Sequence, residues 1–156
     1  MLALAVKTVH VLSAVLFLGT GLGSAWYKFR ADRSGDLRVI DWCQREIVLA
    51  DWIFTLPSGV VLPLSGLYLV HLFGLPFDTP WVLWGIGCYV TAGICWLPAA
   101  YLQIQMRRMT QQALADDTAL PRAFGRANRI WLALGVPAFG ASGLAIWVMV
   151  TKQPPF

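Results

Sequence analysis

The chain has 156 residues, 58% of them hydrophobic and 13% charged, with a mean hydropathy of +0.63 and a net charge of +4. Soluble domains carry about a quarter charged residues, so roughly half the usual solvating surface is missing. That excludes a disordered chain and an ordinary aqueous domain, and leaves lipid as the solvent.

The basic residues lie between apolar runs rather than along one face. An anionic membrane surface therefore accounts for the surplus charge better than nucleic acid does. The cysteines Cys43, Cys88 and Cys95 form no C-x-x-C pair, so neither a disulfide framework nor a zinc site is indicated.

In chain order, the first apolar run covers residues 9–27, with Lys7 in its short apolar lead. The second covers 47–77 and is broken only by Asp51, and the third (79–106) and fourth (130–151) carry no charge. Each supplies the roughly 20 residues an α-helix needs to cross about 30 Å of hydrocarbon. The expected fold is an all-α integral membrane four-helix bundle forming one domain, with spans near 5–27, 47–73, 80–106 and 130–151.

Gly23-Ser24-Ala25 imitates a signal-peptide cleavage site, but the cluster Lys28, Arg30 and Arg33 follows the apolar run instead of preceding it. The first segment is therefore read as a retained helix. Segment 107–117 reads as a continuation of the third helix. Segment 36–46 reads either as an amphipathic lead-in with Val39, Ile40 and Cys43 on one side, or as a solvated turn.

Ten of the twelve basic residues fall in the first and third connections, and none in the second. The positive-inside rule then predicts cytoplasmic first and third loops and both termini on the outer, periplasmic side. Trp26, Tyr27, Trp42, Trp52, Trp81, Trp84, Trp131 and Trp147 are expected at interface depth.

Helices in lipid associate through small residues and hydrogen bonds. Gly19 and Gly23 form a small-xxx-small pair and Gly140 begins a second small-residue run. Either could serve contacts within the bundle, a homo-oligomer or another membrane subunit. Pro57, Pro63, Pro98 and Pro137 each remove a backbone donor and predict kinks.

Ionisable groups inside the membrane are functional candidates. His10 is a natural haem or metal ligand, or else a neutral histidine bonded to a neighbouring helix. His71, at the same end of the second helix, could take the opposite axial position or sit at the interface. Lys7 could pair with a haem propionate or snorkel to the headgroups. Asp51 could be a proton or cation site, or could bond backbone or a loop arginine. Cys88 and Cys95 share a helix face and read as packing residues.

Four stretches, Val6-Lys7-Thr8-Val9-His10-Val11-Leu12-Ser13, Ala50-Asp51-Trp52-Ile53-Phe54-Thr55-Leu56-Pro57, Cys95-Trp96-Leu97-Pro98 and Gly135-Val136-Pro137-Ala138-Phe139, resemble the bacterial integral membrane family known as domain of unknown function 2269. A more distant similarity links Lys7-x-x-His10, its glycine-containing apolar run and basic exit to the first helix of HemJ-type protoporphyrinogen oxidases and CopD-like membrane proteins. The stretch from Arg45-Glu46 through Pro57 to Gly66-Leu67 is similar to the HemJ-type second helix. This similarity implies a b-type haem ligand at His10. It departs at Trp81-Val82-Leu83-Trp84-Gly85, where that family carries a functional lysine, so the same porphyrinogen oxidation is not implied.

The leading expectation is a multi-pass protein of the bacterial inner membrane with haem b on His10, serving electron transfer or a haem-linked oxidation. Its rivals are a small transport or permeability protein using His10 and Asp51, and a membrane assembly or scaffold subunit.

Overall fold

The computed structural model describes residues 1–155. Helix α1 (Leu2–Ser34) turns at Gly35, whose φ of 69° lies in the left-handed region that glycine enters freely, and Asp36 then caps the next helix by accepting from the Arg38 amide. The second pass is continuous: α2 (Leu37–Ala50), a π-helical turn (Asp51–Thr55) and α3 (Leu56–Leu72). Helix α4 (Pro80–Ala115) and helix α5 (Arg122–Thr151) complete the chain, each opened by a proline at or just before its first turn.

All four passes are long and apolar enough to cross a membrane, and no strand occurs among the described residues. Their outer faces are covered with exposed aliphatic and aromatic side chains such as Ile94, Val136 and Val150. In lipid those faces are solvated.

The helices extend well beyond the apolar runs. Lys28, Arg30 and Arg33 belong to α1, and Arg38 and Arg45 to α2, so the first connection shrinks to Gly35 and Asp36. Segment 36–46 is helical, but its buried face is Ile40, Cys43 and Gln44, while Val39 is exposed. The continuation of α4 to Ala115 is as expected. Below, the end holding the α1–α2 and α4–α5 connections is the charged end, and the opposite one the terminal end.

Two hairpins make the bundle. Helix α1 packs along α3, α5 along α4, and α2 joins the hairpins by touching both α1 and α4. Against α3, His10 and Phe17, seven residues apart on α1, seat over Gly66 and Gly59, seven apart on α3. A Cβ at either glycine would lie 3.0 Å from His10 Cε1 or 3.3 Å from Phe17 Cε2. Glycine at those two points lets the rings come close to the α3 backbone, where a methyl group would crowd them. Gly19, Gly23 and Gly140 behave differently: a Cβ there meets nothing within 4 Å. They serve no close contact inside this chain.

The prolines have local solutions. Pro63 leaves the Gly59 carbonyl without its helical donor, and the Tyr89 hydroxyl of α4 donates to it at 2.7 Å. Pro57 cannot donate to the Ile53 carbonyl. The π turn stands immediately before it, and the Ser58 hydroxyl donates to Phe54 and Thr55 carbonyls.

Candidate functional site

Between the hairpins lies a cavity of about 390 Å³ walled by α1, the π turn, α4 and α5. Its walls are largely apolar, with Phe17, Trp96, Trp131 and Phe139 as the large side chains. Polar groups enter at the π turn, where Asp51 accepts a 2.8 Å hydrogen bond from the Thr55 hydroxyl. The Gln103 side chain of α4 stands beside the Asp51 carboxylate. Its Oε1 is buried with no partner among the described residues. An apolar chamber with a few convergent polar atoms is the usual form of a small-molecule site.

One turn toward the charged end, a polar cluster lies under this chamber. Lys28 Nζ donates to Asp32 Oδ2 at 2.9 Å, and Asn128 Nδ2 donates to the same oxygen at 2.9 Å, tying α1 to α5. The Lys28 side chain is 2% exposed and that of Asp32 20%. The ammonium also lies 5.2 Å from the Phe124 ring centroid and 5.6 Å from that of Trp131, close enough for cation–π attraction. Thr110 of α4 donates to Asp41 of α2 at 2.7 Å.

His10 is elsewhere. Its Nδ1 lies 3.0 Å from the Leu62 carbonyl and 3.1 Å from Ser65 Oγ. A carbonyl only accepts, so Nδ1 carries the proton and Nε2 keeps its lone pair. His10 does not line the chamber. His71 is exposed and stacks on Tyr68 at 6.4 Å, so the two imidazoles hold different neighbours. Lys7 is exposed near Lys152. That residue's ammonium is pulled below its ordinary range by burial and then by Lys7, and lies 3.8 Å from the Trp81 ring centroid.

Of the four proposed site residues Lys7, His10, Asp51 and His71, then, Asp51 is the one that lines the chamber, and it bonds Thr55 rather than an arginine. Trp131, expected at the interface, is tucked against Lys28 and the chamber. Cys88 is buried and Cys95 faces the chamber. No group of three or more His, Cys, Asp or Glu able to hold a metal ion occurs among the described residues.

Sequence reasoning missed Lys28, Asp32, Gln44, Gln103 and Asn128. The i,i+4 spacing of Lys28 and Asp32 was visible, as were two glutamines, Gln103 and Gln105, at the end of a charge-free run. Neither spacing nor composition revealed which helix each would face.

The family model described as "Predicted integral membrane protein (DUF2269)" matches residues 4–153. The chain belongs to this family. Comparison with curated proteins found no match. Comparison with solved structures found none either. As a DUF2269 protein it is a multi-pass integral membrane protein, and the lipid bilayer is its environment.

Proposed function

We propose that this DUF2269 protein is a small membrane transport or permeability protein that takes up a compact amphipathic amine in the chamber between its hairpins. The observation that carries the reading is the pairing of the Asp51 carboxylate with the unpartnered Gln103 Oε1 on an otherwise apolar wall. Both groups accept hydrogen bonds. They suit an ammonium or amine head, while the aromatic walls suit an apolar body. By the positive-inside rule the charged end faces the cytoplasm of a bacterial inner membrane and both termini face outward.

Trp96 and Trp131 make binding visible as quenching of intrinsic fluorescence by 1-naphthylmethylamine in mild detergent, with 1-methylnaphthalene as the apolar control. A hydrogen bond to a charged group contributes about 1.5–3 kcal/mol, so Asp51→Asn should weaken the amine about 10- to 100-fold and leave the control unchanged. Uptake of the amine into proteoliposomes should fall in parallel. Equal affinity of wild type and Asp51→Asn would refute the reading.

A second reading rests on His10. The Nδ1–H bond to Leu62 fixes the ring and leaves Nε2 free, the arrangement of a metal-ligating histidine. His10 would hold the iron of a haem b, and the haem would supply one-electron redox chemistry. A dithionite-reduced haem spectrum lost in His10→Ala supports this reading, whereas a colourless preparation from haem-replete cells opposes it.

A further inference from the structure

Six buried side-chain atoms have no hydrogen-bond partner among the described residues: Asp32 Oδ1, Gln44 Nε2 and Oε1, Gln103 Oε1, Arg107 Nε and Asn128 Oδ1. Gln103 stands on the chamber wall, and the others lie between the chamber and the charged end. Native proteins rarely leave such atoms dry, because each would cost the full desolvation penalty.

Gln44 is the strongest case, 1% exposed with its whole amide unpaired. Its depth follows from antiparallel register. The Asp41–Thr110 bond fixes one level of the α2–α4 contact and the shared chamber wall of Asp51 and Gln103 another, and Gln44 falls between them. On α1, Ser24 lines the chamber, Lys28 lies one turn on, and Asp32 a further turn on, reaching the edge of the charged end. Eight residues at 1.5 Å each give about 12 Å from chamber to edge.

The orphaned atoms are a mixture of donors and acceptors on four helices. No single ion satisfies such a set, but water does, since each molecule both donates and accepts and typically makes about three bonds. The charged and titratable groups facing this region and the chamber are Lys28 and Asp32 from α1, Asp41, Cys43 and Glu46 from α2, Asp51 from the π turn and Cys95 and Arg107 from α4, while α5 contributes Asn128, Phe124 and Trp131.

We infer that the charged half of the bundle holds an internal water chain, running from Asp32 past Lys28, Asn128 and Gln44 to Gln103 and Asp51, which gives the chamber protonic contact with the aqueous phase at the charged end. This makes amine loading at Asp51 sensitive to protons from that side. The functional consequence rests on the transport reading, but the water chain itself does not.

The experiment is therefore independent of any ligand. Hydrogen–deuterium exchange of side-chain amides is followed by NMR on the full chain in detergent micelles, with Gln112, exposed at the charged end of α4, as reference. The expected result is exchange of Gln44, Gln103 and Asn128 within about tenfold of Gln112; slower exchange of Gln44 overturns the inference. In Gln44→Leu/Asn128→Leu the path is plugged, so Gln103 should exchange at least about tenfold more slowly than in wild type. Unchanged Gln103 exchange would place its water elsewhere and sink the path. If that variant does not fold, Gln44→Met supplies the same comparison at near-equal volume. Failure of naphthylmethylamine binding with rapid Gln44 exchange would refute the transport reading and leave the water chain standing.

Discussion

The Lys28–Asp32 pair makes a sharp prediction because its two charges are unequally sheltered. Replacing Asp32 by Asn keeps the shape of the side chain but leaves an ammonium whose side chain is 2% exposed facing a neutral amide. Removing one partner of a buried pair costs about 3–5 kcal/mol. Replacing Lys28 by Met instead leaves a carboxylate that is 20% exposed and still accepts from Asn128. A methionine also packs well on the Phe124 and Trp131 rings, so about 1–2 kcal/mol is expected. Asp32→Asn should therefore be the worse variant by about 2 kcal/mol, some 30-fold in the unfolding equilibrium. The double variant Lys28→Met/Asp32→Asn, with neither charge left, should recover to within about 1 kcal/mol of wild type. Equilibrium unfolding by SDS in mixed micelles, followed by far-UV circular dichroism, measures all four corners of the cycle. Asp32→Asn no worse than Lys28→Met, or additive losses in the double variant, would refute the assignment of a desolvated ion pair.

Gly66→Ala should destabilise by about 1–3 kcal/mol, because the new methyl would stand 3.0 Å from His10 Cε1, and the cost should shrink in a His10→Ala background when measured by the same unfolding cycle. Tyr89→Phe strands the Gly59 carbonyl and should cost about 1–2 kcal/mol, with a smaller loss when Pro63→Ala restores the helical donor. Gly19→Leu and Gly23→Leu should leave the unfolding transition of the isolated chain within about 0.5 kcal/mol of wild type, since a Cβ at either position meets no neighbouring helix or side chain within 4 Å. If those glycines join two copies, sedimentation velocity in detergent will show the variants as monomers beside an oligomeric wild type.

The four passes were legible because hydrocarbon demands long uninterrupted apolar helices, and composition records that demand directly. Helix ends were less so. The hydropathy of α1 fades at Tyr27, yet the helix runs on to Ser34, because Lys28 and Asp32 satisfy one another and Gly35 alone offers a left-handed stop. Asp51 stood out because a lone carboxylate in an apolar run is costly. The π turn around it was concealed, since a π turn needs no special residue, only a neighbour such as Pro57 that upsets the α-helical bonding. The glycines misled in a physical way. Gly19 and Gly23 have the spacing of a helix interface but stand open, while Gly59 and Gly66, seven apart and separated by a proline, do the packing.

The chamber's position follows from how the hairpins are held. Lys28, Asp32, Asn128, Asp41 and Thr110 fasten all four passes together at the charged end. Toward the terminal end each hairpin packs mainly on itself, α1 on α3 through the glycine notches and α4 on α5. Tyr89 to Gly59 is a hydrogen bond that joins the two hairpins in that half, and Phe139 over Gly21 is an apolar touch between α1 and α5. Two rods clasped at one end and self-paired at the other must leave a gap just beyond the clasp. The π turn adds its extra residue to the helix at that depth and swings Asp51 into the opening. Straightening the turn by deleting one residue from 51–55 would rotate every α3 side chain by about 100° relative to α1, at 3.6 residues per turn. His10 would then lose Gly66 and Phe17 would lose Gly59. The residue that opens the chamber and the register that holds α3 against α1 are thus a single feature of the backbone.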